Sequence, residues 1–215
     1  MILLLLLVHI LIASEELNYN VKVKGINAGT ASLKLENNKN NKSEITFSVR
    51  SNKLIDLFYK LRDDISLVVN PKDFSIISID KSIHQGRYKK NNSVTIDYTS
   101  NIIYSNNQEI QFKNKIYSPI SIMYFLRNKN LSLNKQFWFQ IFENNKIKNV
   151  FVEVMGNEII KINNIEYDCH VLKAQLMKKN NLLKEIMTFY INKANKIPVM
   201  IKSQIKPGEM VLTIQ

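Results

Sequence analysis

Along most of this chain apolar and polar residues alternate with a period of two. Leu17, Tyr19, Val21 and Val23 alternate with Asn18, Asn20, Lys22 and Lys24. The same rule holds for Ile45-Phe47-Val49, Ile65-Leu67-Val69, Val94-Ile96-Tyr98 and Val150-Val152-Val154. Such alternation places one face of a strand on a core and the other in water. β-branched residues, which suit a pleated surface, dominate these runs. With only 5 Gly and 4 Pro available, the turns fall to asparagine, which tolerates the left-handed conformation and bonds its own backbone. Asn37-Asn38, Asn91-Asn92, Asn106-Asn107, Asn144-Asn145, Asn163-Asn164 and Asn180-Asn181 lie between alternating runs and are expected to be hairpin tips. No long helical stretch separates the strands, so the expected fold is mainly β, an antiparallel meander.

Two segments break the period. Residues 53–61 carry apolar side chains at Leu54, Leu57, Phe58 and Leu61, a helical spacing, although a distorted strand fits nearly as well. Residues 118–127 make a better helix: Ser118 caps, Pro119 takes the first helical position and Arg127 sits at the end where a cation is favoured. The segment is too short and too apolar to stand alone and must pack on the sheet. Phe137-Trp138-Phe139-Gln140-Ile141-Phe142 is apolar on both faces, as expected of a strand covered on both sides.

The first fourteen residues are an uncharged, mostly apolar run ending at Ala13-Ser14. It is too short to span a bilayer, which takes about twenty residues. It fits a secretory signal with cleavage at Ala13 or Ser14, the alternative being a buried N-terminal strand. The expected organisation is therefore a signal peptide over 1–14 and one antiparallel β domain over 15–215, exported to the periplasm or bacterial envelope and not integral to the membrane after cleavage. A lone Cys169 is compatible with an oxidising compartment. The net charge of +12 arises from lysine rather than arginine, with the lysines scattered. No nucleic-acid motif accompanies it, so nucleic acid is not an expected partner; a basic surface would be drawn to the anionic envelope, but scattered lysines read as a solvated surface rather than a dedicated patch.

Catalytic patterns are scarce. Asp63 and Asp64, with Asp56 nearby, form the one acidic cluster worth testing, but adjacent strand residues diverge and a loop-end role is expected. Cys169 and His170 diverge likewise, and a buried cysteine is commonly a small hydrophobe. His84 has no partner at metal-site spacing. No catalytic residue, cofactor or metal site is therefore expected, and the chain reads as non-enzymatic.

Several short motifs, in order, carry a resemblance to a known family. Tyr19-x-Val21-x-Val23-x-Gly25-Ile26-x-Ala28-Gly29-Thr30 opens the chain. Ser118-Pro119 leads to Met123-Tyr124-Phe125-Leu126-Arg127. Val154-x-Gly156-x-Glu158-Ile159 and then Ile197-Pro198-Val199 follow. Together they resemble the exported bacterial proteins grouped as domain of unknown function 3108. The resemblance implies a curved antiparallel sheet, a half-barrel or open barrel with one or two short helices on its concave face, and it implies no activity. The expected function is a binding module for an apolar or lipid-like ligand. Its candidate lining is Tyr124, Phe125 and Trp138, with Leu57 and Phe58 of the other helical segment. The alternative is an envelope interaction or scaffold protein, with another envelope protein as partner, acting through strand edges or its basic surface.

Overall fold

The computed structural model describes residues 14–38, 41–177, 183–205 and 208–215. The expected signal segment, apart from Ser14, and the expected tip at Asn180-Asn181 lie outside these residues. The first strands are Ser14–Val23 (β1), Ile26–Asn38 (β2), Lys42–Ser51 (β3), Leu61–Val69 (β4), Ile76–Gln85 (β5) and Tyr88–Asp97 (β6). Three short ones follow, Ile102–Ser105 (β7), Gln108–Gln111 (β8) and Ile116–Tyr117 (β9). The remainder are Gln136–Glu143 (β10), Lys146–Ile162 (β11), Ile165–Met177 (β12), Leu183–Asn192 (β13), Pro198–Gln204 (β14) and Glu209–Ile214 (β15). Two helices, Lys53–Asp56 (α1) and Pro119–Arg127 (α2), interrupt them.

All strands belong to one 15-stranded sheet in the order β8 to β1, then β15 back to β9. Strands adjacent in sequence pair antiparallel, as alternation and short turns require, apart from β8 and β9, which do not pair, and the parallel contact of β9 with β10. A pairing of the first strand with the last, Tyr19 opposite Ile214 and Val21 opposite Leu212, joins the two halves. The outermost strands, β8 and β9, are consecutive in the chain, separated only by residues 112–115. The sheet must therefore curl until its edges approach, yet no backbone ladder closes it. Side chains bridge the gap instead: Ser105 donates to Asn145 Oδ1 at 3.0 Å, and Asn145 donates to Gln108 Oε1 at 3.0 Å.

Asparagine makes the tips. Asn106-Asn107, Asn144-Asn145 and Asn163-Asn164 all have positive φ at both positions, as two-residue hairpin turns require. Asn91-Asn92 differs from expectation. It lies inside β6, opposite Ser82 and Lys81, because the chain has already turned at Gly86-Arg87. Asn37-Asn38 ends β2, where the two residues pair with Ser43 and Lys42 of β3.

The concave face carries the main core, which includes the fully buried Tyr19, Leu33, Ile45, Leu67, Ile79 and Phe189. A smaller cluster of Ile160, Cys169, Val171, Tyr190 and Val199 lies on the other face of the later strands. The pairing establishes this: Leu172 opposite Phe189 belongs to the first core, while the adjacent pair Val171 and Tyr190 belongs to the second. α2 packs into the main core, burying Ile122, Met123, Tyr124 and Leu126. Its first turn is closed by a reciprocal cap, Ser121 N–H to Ser118 Oγ at 3.1 Å and Ser118 N–H to Ser121 Oγ at 2.9 Å. Among the described residues no helix is long and apolar enough to cross a membrane.

Candidate functional site

The turns alternate between two ends of the curled sheet, and α2 sits towards one of them. There Tyr124 stacks on Phe74 with ring centroids 5.7 Å apart and is 2% exposed. Phe125 is wedged edge-on among Tyr117, Phe137 and Phe139. Burial holds the Tyr117 phenol up at a pKa of about 12. Arg127 anchors the end of the helix. Its guanidinium donates to both carboxylate oxygens of Glu15 at 2.6 and 2.7 Å, donates from Nε to the Lys196 carbonyl at 2.7 Å, and lies over the Tyr124 ring. Burial works against its charge, but the bonds and charge of Glu15 outweigh burial and raise its pKa. A cleft of about 410 Å³ beside this pair is lined by Glu15 and Arg127, which satisfy one another, and also by Lys196 and by Tyr124, whose buried hydroxyl has no hydrogen-bond partner.

The five residues expected to line one apolar chamber do not converge. Tyr124 and Phe125 are packed within the core. Trp138 is 61% exposed on the opposite face of β10 from Phe137 and Phe139, against Phe151. The expectation that this strand is covered on both faces is corrected accordingly. Leu57 and Phe58 follow α1 at the far end of the sheet and are 76% and 86% exposed. α1 is a helix, capped by Asn52 through the Ile55 N–H at 2.9 Å, but it does not pack on the concave face.

The interior near that far end holds a cleft of about 430 Å³. Its floor is Ile79, Val94 and Phe142, and Tyr88 and Lys90 stand at its border. Lys81 is set into this cleft by strand alternation, facing inward with Ile79 and Ile83 and paired across the sheet with Ile65 and Asn92. Among the described residues Lys81 makes no ion pair; the nearby Glu143 is engaged by Lys148 at 2.5 Å. Burial pushes the Lys81 pKa below the ordinary lysine value, Glu143 opposing and Lys90 adding to the effect. The buried Asn92 Oδ1 likewise accepts no hydrogen bond. The Lys81 side chain, without an ion pair, and the unsatisfied Asn92 oxygen thus lie side by side over an apolar floor. Sequence reading missed it because Lys81 looks like one scattered lysine among many; its inward parity with Ile79 and Ile83 is the signal that was available.

The acidic and thiol candidates are placed elsewhere. Asp63 and Asp64 lie within β4 rather than at a loop end. Asp63 accepts from the His84 N–H at 3.1 Å and from Gln85 at 2.5 Å, while Asp64 pairs with Arg50 at 2.5 Å. Cys169 is fully buried, its thiol bonded to the Tyr167 carbonyl at 3.5 Å and its pKa pushed up to about 11 by burial. His170 turns the other way, its Nδ1 2.9 Å from the Asn157 amide.

The model of the family described as "Protein of unknown function (DUF3108)" matches residues 18–215. The chain belongs to that family. No curated protein matches this DUF3108 member. A solved structure described as a β-barrel-like protein of domain of unknown function DUF1849 from Brucella abortus is similar with a TM-score of 0.62 at 10% identity, over 95% of this chain and 96% of that one. That likeness concerns the fold. A DUF1329 family protein from Desulfovibrio piger aligns over 94% of this chain and 82% of that one, at 13% identity with a TM-score of 0.18.

Proposed function

We propose that this DUF3108 protein is an exported, non-enzymatic envelope protein that binds a lipid-like amphiphile with an acidic group in the Lys81 cleft. The observation that carries the reading is Lys81, which makes no ion pair among the described residues although Glu143 borders the same cleft, beside the unsatisfied Asn92 oxygen above Ile79, Val94 and Phe142. A cation withdrawn from water without a partner is costly, and a bound anion removes that cost. An amide or hydroxyl on the ligand, beside its ionised acidic group, would serve the Asn92 oxygen as donor. The volume lies within the range of small-molecule sites, and the floor offers roughly 0.8 kcal/mol for each methylene buried. Export is supported by the apolar run ending at Ala13-Ser14. Docking through strand edges has less support, because the edge strands β8 and β9 are only four and two residues long.

Uptake of a fluorescent fatty acid, followed together with native mass spectrometry of protein purified without detergent, tests the reading. Lys81→Met should weaken uptake of the acid by about tenfold while leaving a neutral alcohol of the same chain length unaffected. Equal uptake of the acid by wild type and variant, or no uptake by either, would overturn the Lys81 site.

A further inference from the structure

The end of the sheet where the cleft lies also carries a cluster of apolar side chains facing solvent. Leu54, Leu57, Phe58 and Tyr59 of the β3–β4 connection are exposed, and Ile26 in the neighbouring turn is exposed with them. They are held in place rather than trailing. The Gly86 N–H donates to the Lys60 carbonyl at 2.8 Å, and the Asn52 N–H donates to the Ala28 carbonyl at 2.9 Å. Asn52 Nδ2 adds a bond to the Asn27 carbonyl at 2.9 Å. The connection is therefore tied to the turns on both sides of it. Single exposed apolar residues are ordinary on a protein surface, but a contiguous group that includes a phenylalanine 86% exposed marks a contact surface.

The charge around this group identifies what it contacts. Lys24, Lys53, Lys60 and Arg87 are exposed in the same turns, and Lys89 is exposed at the start of β6. Asp56, the acidic side chain of the connection itself, is engaged by Arg62 at 3.0 Å and by Ser51. Apolar and aromatic side chains at a tip, ringed by cations, match a bilayer interface: the rings enter the headgroup boundary and the cations meet anionic headgroups. A protein partner of the same apolar character would not call for a cationic ring. We infer that the α1 tip docks this protein onto an anionic lipid bilayer, with Leu57 and Phe58 as the inserted residues. The inference does not depend on what the Lys81 cleft binds.

Co-sedimentation of the purified protein with vesicles tests it, using phosphatidylglycerol mixed with phosphatidylethanolamine against phosphatidylcholine alone. The protein should bind the anionic vesicles at least about tenfold better, and the difference should shrink as salt screens the lysines. Leu57→Asp/Phe58→Asp should abolish this binding without changing the circular dichroism spectrum. Ile159→Asp, a similarly exposed apolar position in β11, and Lys81→Met should both retain it. In a Phe58→Trp/Trp138→Phe variant, which moves the only tryptophan to the tip, emission should shift to the blue on adding anionic vesicles. Absence of wild-type binding, equal binding by the double-aspartate variant, or a self-association lost in that variant without any vesicle binding would overturn the inference. Loss of fatty-acid uptake with vesicle binding intact would bear on the cleft alone.

Discussion

A methyl group added at Gly29 would lie 2.0 Å from the Arg50 carbonyl oxygen, in the backbone of the neighbouring strand. Backbone cannot retreat as a flexible side chain can, so Gly29→Ala should cost about 3 kcal/mol or more, read as a fall in the thermal midpoint. Gly25, with φ of +79° and nothing within 4 Å of its missing Cβ, should accept asparagine almost without loss. Lys81 behaves oppositely. Its pKa is lower folded than unfolded, so in the window between those values the unfolded chain holds more protons and stability rises with pH. Below that window the full cost of the buried cation is present. Lys81→Met should therefore stabilise the protein at neutral pH by on the order of 1 kcal/mol, with the gain shrinking as pH approaches the ordinary lysine range. Denaturant titrations across pH check this. At this scale the sequence was partly legible: asparagine's tolerance of positive φ gave three tips, whereas Asn91-Asn92 has the same local chemistry and is a strand because of pairing partners far away in the chain.

Among the elements, α2 was anticipated with its cap and its first-turn proline, because those signals are local. Its role was not. Tyr124 and Phe125 are expected from the sequence to line a ligand chamber, but Tyr124 is packed against Phe74 and Arg127 is held by Glu15 and Lys196. Amides of α2 should then exchange with solvent as slowly as those of β12 and β13; faster, independent exchange would show a mobile cover. Replacing Arg127 with Met should cost about 2 to 3 kcal/mol, and Glu15→Gln combined with it should add little, because the two residues act as one unit. α1 teaches the converse. Its helical spacing was readable, but spacing alone does not reveal whether the apolar stripe faces the core or solvent. Here Asn52 and Gly86 fix the turn so that Leu57 and Phe58 point outward.

At the level of the whole molecule, the strand order becomes a simple meander if the chain is read from residue 116 through Ile214, then from Ser14 to residue 112. The pairing of β1 with β15 is what departs from sequence order, and no local feature announces it, because alternation is the same whichever strand lies alongside. This suggests a permutant opened between Lys113 and Asn114, both exposed, with Gln215 joined to Ser14. The Gln215 N–H bonds the Asn18 carbonyl at 3.0 Å, so four residue steps, roughly 13 Å of strand, separate the ends, and a flexible linker of about eight residues suffices. The permutant should keep the native circular dichroism and fold faster, because its most distant strand pairing has become local. Folding no faster than the parent would show that β1–β15 pairing does not limit the rate.

That same β1–β15 contact bears on how the natural chain meets its surroundings as it emerges. β1 is made early and finds β2 at once, but its other side stays bare until the final residues from Glu209 onward arrive. Throughout that interval the chain presents an unpaired ladder beside Leu17, Tyr19 and Val21, a template for association with any other strand. A product cut short before β15 keeps this open flank permanently, so incomplete copies carry a mark that a protease or chaperone can read, and arrival of the last strand erases it.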